Sequence, residues 1–183
     1  FNINQKNNFI QAISDLIIRA LQENEGSILA FLPGAGEIKQ LQAFLKPKLP
    51  NDLDIRPLYG AMSFDEQQKA ILPSCRRKLI LATSIAETSL TIKDIRIVID
   101  SGLTRRSRFD PSSGMSRLIT ERVTKAEAIQ RMGRAGRTNT GVCYKQWTKG
   151  EEGGLKPFPE PEILISDLSP LAMELAAWGV NNP

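Results

Sequence analysis

The sequence predicts an α/β fold: a parallel sheet covered by helices on both faces, with a β-hairpin projecting from it. Three observations carry that reading. Short uninterrupted apolar runs, such as Ser27-Ile28-Leu29-Ala30-Phe31-Leu32 and Lys78-Leu79-Ile80-Leu81-Ala82, read as strands buried on both faces. They alternate with stretches of helical periodicity, the order that parallel strands and crossover helices impose. One later stretch breaks the alternation, where two strand-like segments flank the turn formers Asp110-Pro111-Ser112-Ser113-Gly114.

Phe9, Ile10, Ile13, Leu16, Ile17, Ala20 and Leu21 recur at helical spacing, predicting an amphipathic helix over residues 5–23 that Asn24 and Gly26 stop. Residues 27–32 form the first strand, Pro33-Gly34-Ala35-Gly36 the turn and 37–45 the next helix, with Pro47 and Pro50 marking the following connection. A strand at 54–58, a helix at 64–71, a strand at 78–82, a short helix at 85–88 and a strand at 96–100 continue the alternation. The hairpin pairs 103–109 with 115–120. Thr124 is placed to cap a helix carrying residues 126–134, with Glu127 completing a capping box. A last strand covers 142–147, and residues 150–161 make a surface connection rich in Gly, Pro and Glu. Pro170 then starts a terminal helix at 169–178. One main domain is expected over residues 1–149, with 150–183 leading toward a further one.

A chain of 183 residues can bury one sizeable core. It opens on Phe1 rather than Met, so it reads as a piece of a longer polypeptide. No basic-then-apolar leader and no bilayer-length apolar run is visible, so a cytoplasmic setting without a membrane partner is expected. Cys75 and Cys143 lie too far apart to suggest a zinc site or a disulfide framework, and no metal site is expected. The absence of histidine excludes Ser-His-Asp and Cys-His catalysis and histidine metal or general-base chemistry within the chain. Net charge is only +4, yet nine of the 13 arginines fall between Arg96 and Arg137. That concentration suits an anionic partner, and equally a solvated surface of scattered ion pairs.

The sharpest segment is Gln130-Arg131-Met132-Gly133-Arg134-Ala135-Gly136-Arg137. Arg134 and Arg137, three apart, can face the same way, and small Gly133, Ala135 and Gly136 admit another surface. Two such guanidiniums can neutralise charge developing on a transferring phosphoryl group, while Gln130 orients a water. A solvated basic helix end is the bland alternative, although two glycines suit such a helix poorly.

This octapeptide resembles motif VI of the superfamily 2 helicases in the form of the DEAH group. Leu81-Ala82-Thr83-Ser84-Ile85-Ala86-Glu87-Thr88-Ser89-Leu90-Thr91-Ile92 is similar to that group's motif V. Phe31-Leu32-Pro33-Gly34-Ala35-Gly36-Glu37-Ile38 is similar to motif IV, and Leu58-Tyr59-Gly60-Ala61-Met62-Ser63 to the segment called IVa. The resemblance covers about residues 28–147 in the family's order. Asp100-Ser101-Gly102-Leu103 through Phe109-Asp110-Pro111 looks most like the bacterial HrpB type.

The resemblance implies a RecA-like (P-loop NTPase-like) fold and the second motor lobe of an ATP-dependent RNA helicase. ATP and Mg2+ would be held mainly by a first lobe. That ATP-binding lobe of the same polypeptide and single-stranded nucleic acid, RNA in preference to DNA, are the implied partners. Arg134 and Arg137 would contact the γ-phosphate and Gln130 would position water. Ser89 and Thr91 would lie near the nucleotide and the lobe interface, with Ile71 where many relatives stack Phe on adenine. Thr83 would touch the nucleic-acid backbone, with Ser84 and Gly34 also on the strand-facing side. Thr83 stands between a strand and a helix, where free backbone N–H groups favour a phosphate; a helix cap is its other reading. The hairpin would be the family's wedge against bases, decorated by Arg105, Arg106, Arg108 and Arg117, each of which also reads as ordinary solvated charge.

The chain departs from the family at Ser84, where Asn is usual, and at Ile71. It also has Lys93, followed by Asp94, where many relatives place an acidic residue. It contains neither Gly-x-x-x-x-Gly-Lys-Ser/Thr nor Asp-Glu-x-His, so it offers half an active site and by itself is expected to hydrolyse nothing measurable. The alternatives are a non-catalytic basic RNA- or protein-binding module, or the same lobe of a DNA helicase. Gly34-Ala35-Gly36 resembles the start of a dinucleotide fingerprint, but Lys39 occupies the third glycine's place. Trp147 and Trp178 read as core or interdomain packing.

Overall fold

The computed structural model describes residues 3–50, 52–88, 90, 92–136 and 140–179, with side chains from residue 7 onward. In chain order these form α1 (Ile3–Glu23), β1 (Ser27–Phe31), α2 (Ala35–Leu45), β2 (Asp54–Leu58), α3 (Phe64–Ile71), β3 (Lys78–Ala82) and β4 (Ile95–Asp100). There follow β5 (Leu103–Asp110), β6 (Met115–Arg122), α4 (Lys125–Met132), β7 (Val142–Lys145), α5 (Lys149–Gly153) and α6 (Ser169–Ala177). Among the described residues, five parallel strands make one sheet in the order β2-β3-β1-β4-β7, and β5 and β6 pair antiparallel as a separate hairpin.

The inner strands are apolar throughout because successive residues feed two cores in turn. Ile28 and Ala30 of β1, Leu79 and Leu81 of β3, and Ile97 and Ile99 of β4 pack on one face against Ile13 and Ile17 of α1 and Ile38 and Leu41 of α2. Leu29, Phe31, Ile80, Ala82 and Val98 form the opposite face with Ala70 of α3, Ala86 and Ala135. Each fully buried Leu or Ile contributes about 1.5–3 kcal/mol. Pro57 is accommodated because β2 is an edge strand. The carboxyl end of α1 is closed from afar: Arg77 donates to the carbonyls of Leu21 (3.1 Å), Asn24 (2.6 Å) and Gly26 (2.6 Å).

The capping box expected at α4 is present: Thr124 Oγ1 accepts from the Glu127 N–H at 3.3 Å, and Glu127 Oε2 accepts from the Thr124 N–H at 2.8 Å. The helix is shorter than expected and ends at Met132, because Gly133 follows as its cap. Arg134 therefore lies in the turn beyond the helix. The short helix expected at 85–88 is a single 3₁₀ turn, Ser84–Ala86. Within the expected surface connection α5 forms on a capping box of its own, Thr148 with Glu151, and a boundary at 149/150 falls inside that helix.

The hairpin runs further than expected, to Asp110 and Arg122, and both its legs root at Gly102. The Val123 N–H donates to the Gly102 carbonyl at 3.0 Å. Gly102 has φ +72°, and a Cβ there would stand 2.8 Å from the Trp147 ring, so only glycine fits. Trp147 packs with Val123, Ala128 and Leu155 as expected, whereas Trp178 is 78% exposed in this lobe. Lys156 and Pro157 accept from the first amides of α4, and Ile165 accepts from Phe109, so this segment lies against both α4 and the hairpin. No described helix is long and apolar enough to cross a membrane.

Candidate functional site

A parallel sheet sends its chain out at one edge after every strand, and in open α/β sheets that carboxyl edge is where ligands bind. Gly34 follows β1, Tyr59 and Gly60 follow β2, Thr83 follows β3, and Ser101 and Gly102 follow β4. The topology thus brings the four segments singled out in the sequence to one edge. The turn after α4 reaches the same place, since Arg131 bonds Asp100, the last residue of β4, and lies 5.0 Å over the ring of Phe31, the last residue of β1.

Arg131 is fully buried. Its Nε donates to Glu87 Oε1 at 2.7 Å, and its Nη1 donates to Asp100 Oδ1 at 2.8 Å and to the Leu103 carbonyl at 3.2 Å. Burial pulls its pKa down, but Asp100 and Glu87 raise it by more, so it stays charged. Burial pushes the Glu87 carboxyl up from its ordinary value, with Arg131 pulling the other way. Arg134, also buried, donates from Nε to the Glu87 carbonyl at 2.8 Å and from Nη1 to the Leu90 carbonyl. Two arginines therefore hold the segment that follows β3.

The expectation that Gly133, Ala135 and Gly136 together admit another surface is corrected at Ala135. Its methyl group is buried in the second core, while both glycines are exposed. Gln130 is exposed on α4. Arg137, Ser89 and Thr91 lie outside the described residues. Arg131 was not singled out in the sequence, although its partners gave a signal: Asp100 closes an apolar strand and Glu87 sits among small residues, both awkward places for an unpaired charge.

On the strand-facing side, Thr83 is half-buried and Ser84 exposed. The Thr83 N–H is taken by the Leu58 carbonyl at 3.1 Å, and a single 3₁₀ turn follows, so the free helix terminus expected there for a phosphate is absent. Nor does the Thr83 side chain cap that turn. Gly34 is buried beneath Arg105, whose Nη1 would lie 2.2 Å from a Cβ at that position. A strand could reach Gly34 only if Arg105 moved aside. Ile71 ends α3, half-buried against the second core. Lys93 and Asp94 are exposed, the latter with φ 67°.

The four hairpin arginines do not form one open basic face. Arg105 pairs with Glu37 of α2 at 3.1 Å. Arg106 pairs with Glu121 at 2.9 Å and with Glu127 of α4. Arg108 pairs with Glu121 at 2.9 Å and Glu160 at 2.5 Å. Arg117 is exposed and makes no ion pair among the described residues. Strand alternation is the reason: Arg106 and Arg108 share a face with Glu121, and Arg105 looks the other way onto α2. Lys156 and Arg108 together pull the Glu160 carboxyl down to about 2. The outer strand β6 presents exposed Met115, Leu118 and Ile119 beside Arg117.

Comparison with known proteins agrees with this arrangement. The family described as helicase conserved C-terminal domain matches residues 8–139. The chain is 47% identical over 177 residues to the ATP-dependent RNA helicase HrpB of Escherichia coli (strain K12), covering 96% of this chain and 22% of that protein. It is 35% identical to HrpA of the same organism, an ATP-dependent RNA helicase, covering 94% of this chain and 13% of that one. It is 40% identical to the pre-mRNA-splicing factor ATP-dependent RNA helicase prp22 of Schizosaccharomyces pombe, covering 88% and 15%. Two crystal structures of Escherichia coli HrpB superpose with TM-scores of 0.86 and 0.90 over 96% of this chain, at 47% identity and 22% and 23% of those chains. The chain thus spans less than a quarter of each of these relatives.

Proposed function

Since this chain belongs to the helicase conserved C-terminal domain family, we propose that it is the second motor lobe of an ATP-dependent RNA helicase. In this role it completes an ATP site whose phosphate-binding half lies on another lobe of the same polypeptide. One observation carries the reading: the segment after β3 and the turn after α4 meet at the carboxyl edge of the sheet, tied by Arg134 to the carbonyls of Glu87 and Leu90. A nucleotide held by a facing lobe would meet this edge.

There Arg134 and Arg137 neutralise charge developing on the γ-phosphoryl group, and Gln130 orients the attacking water. Ser89 and Thr91 line the nucleotide and the boundary with the facing lobe, and Ile71 offers the adenine an apolar contact. Mg2+ would bridge phosphate oxygens. No group of three His, Cys, Asp or Glu among the described residues could hold a metal ion, so its protein ligands would come from the other lobe. The strand is held by Thr83, Ser84 and the backbone at Gly34, and by Arg117. Arg105, Arg106 and Arg108 join when they exchange a carboxylate for a phosphate. Residues beyond α5 lead through α6 toward the next domain. RNA is favoured over DNA because the similar proteins are named RNA helicases.

The test is ATP turnover by the intact polypeptide with no strand, single-stranded RNA or single-stranded DNA. RNA should stimulate turnover several-fold more than DNA, and this chain alone should be inactive. Absence of turnover with every strand would remove the motor assignment, and stronger stimulation by DNA would change the substrate.

A further inference from the structure

We propose that Arg131 is a positioning residue that ties the hairpin to the arginine-bearing turn, with α4 as the stiff connection between them. Strand engagement at the hairpin is thereby passed to the nucleotide-facing turn. The inference rests on the functional reading above and adds to it a route between its two halves.

The hairpin is bonded to α4 at two heights. Near the start of the helix, Arg106 of β5 pairs with Glu127, which also closes the capping box with Thr124. One helical turn later, Arg131 donates to the carbonyl of Leu103, the first residue of β5, and to Asp100 Oδ1. That same carboxylate oxygen accepts the Gly102 N–H at 2.9 Å, and the Gly102 carbonyl accepts from Val123, the residue after β6. Both legs of the hairpin and the last turn of α4 thus meet in one hydrogen-bonded knot. From the knot Arg131 reaches Glu87, whose backbone carbonyl accepts from Arg134.

Every link is a bond between buried or half-buried groups. The central one needs a planar fork with donors pointing in several directions, which a lysine ammonium on a single stem does not reproduce. A shift of the hairpin root therefore displaces Leu103 and Asp100 together, and the connected guanidinium carries that displacement to Glu87 and Arg134.

Amide hydrogen exchange on the intact helicase, with and without a single-stranded uridine oligonucleotide, tests the route. In the unmodified protein the strand should slow exchange in the hairpin and also at residues 131–136. In Arg131→Lys the hairpin should keep its protection while the turn loses it, and the ratio of strand-stimulated to basal ATP turnover should fall about tenfold. Glu127→Gln, which keeps a capping side chain but loses the charge facing Arg106, should lower that ratio by about two- to threefold. It decides the matter if Arg131→Lys fails to fold. Protection of the turn that survives both substitutions, or basal and stimulated rates that fall in proportion, overturns the proposal. Absence of hairpin protection in the unmodified protein would instead sink the strand-binding reading, and the proposal with it.

Discussion

Arg131 and Arg134 behind α4 are 0% and 4% exposed, whereas the side chains of Arg105, Arg106 and Arg108 on the hairpin keep 30%, 17% and 27% of their surface. Both groups are guanidiniums bonded to oxygen, yet water separates what they do. The buried pair is bound to backbone carbonyls and enclosed carboxylates, where salt does not screen and an unpaired charge is costly. The hairpin arginines face carboxylates that water can solvate, so exchanging one anion for another is cheap. Arginine density in this stretch of sequence is therefore not one basic patch. It is a structural knot beside an exchangeable surface.

Removing a charge from the knot should have the largest effect on stability. Arg131→Met leaves Glu87 and Asp100 buried without their counter-ion, which should cost about 3–5 kcal/mol. Calorimetry should then show a Tm lower by about 10 °C. A loss below about 1 kcal/mol would place this cluster with ordinary surface pairs and erase the contrast. Next, Thr124→Ala removes the cap of the helix that carries the knot and should cost about 1 kcal/mol in a urea titration.

On the hairpin the same chemistry should matter less to stability and more to binding. Arg108→Gln should change stability by at most about 1 kcal/mol. Arg117→Ala should leave the melt unchanged but weaken single-stranded RNA binding and flatten its log–log salt dependence by about 0.7. A flat salt dependence in the unmodified chain would show that the hairpin is not a phosphate surface.

The smallest effect is a pair of opposite displacements in one titration. Lys156 and Arg108 hold Glu160 at about 2 rather than its ordinary 4.5. The stability from this tie is present above about pH 4.5 and lost as pH falls through about 2. Burial displaces Glu87 upward, so its contribution favours the folded state at low pH and is lost as pH rises through its folded value. Carboxyl NMR should find the two midpoints on opposite sides of 4.5. Replacing Arg108 with Gln should move only Glu160 back upward.

The body of the fold was legible because its signals are local. Residues 54–58, 64–71 and 78–82 were bounded as found, since their apolar runs end at turn formers or charges, and Thr124 with Glu127 declared the start of α4 three residues apart. What escaped was non-local. Arg131 reads like its neighbours until Asp100, 31 residues away, and Glu87, 44 away, are folded onto it. Arg105 and Arg108 read as open cations until Glu37 and Glu160, 68 and 52 residues distant, neutralise them. The missed α5 is a different case: Thr148 and Glu151 announced a capping box, but Gly150, Gly153 and Gly154 masked it.

The account stands on this sheet edge completing a nucleotide site that another lobe begins. Single-turnover ATP hydrolysis by the intact helicase carrying Arg137→Ala, with ATP affinity measured separately, addresses that most directly. Hydrolysis should fall by about 10³-fold or more while ATP still binds. Near-normal hydrolysis would contradict the account.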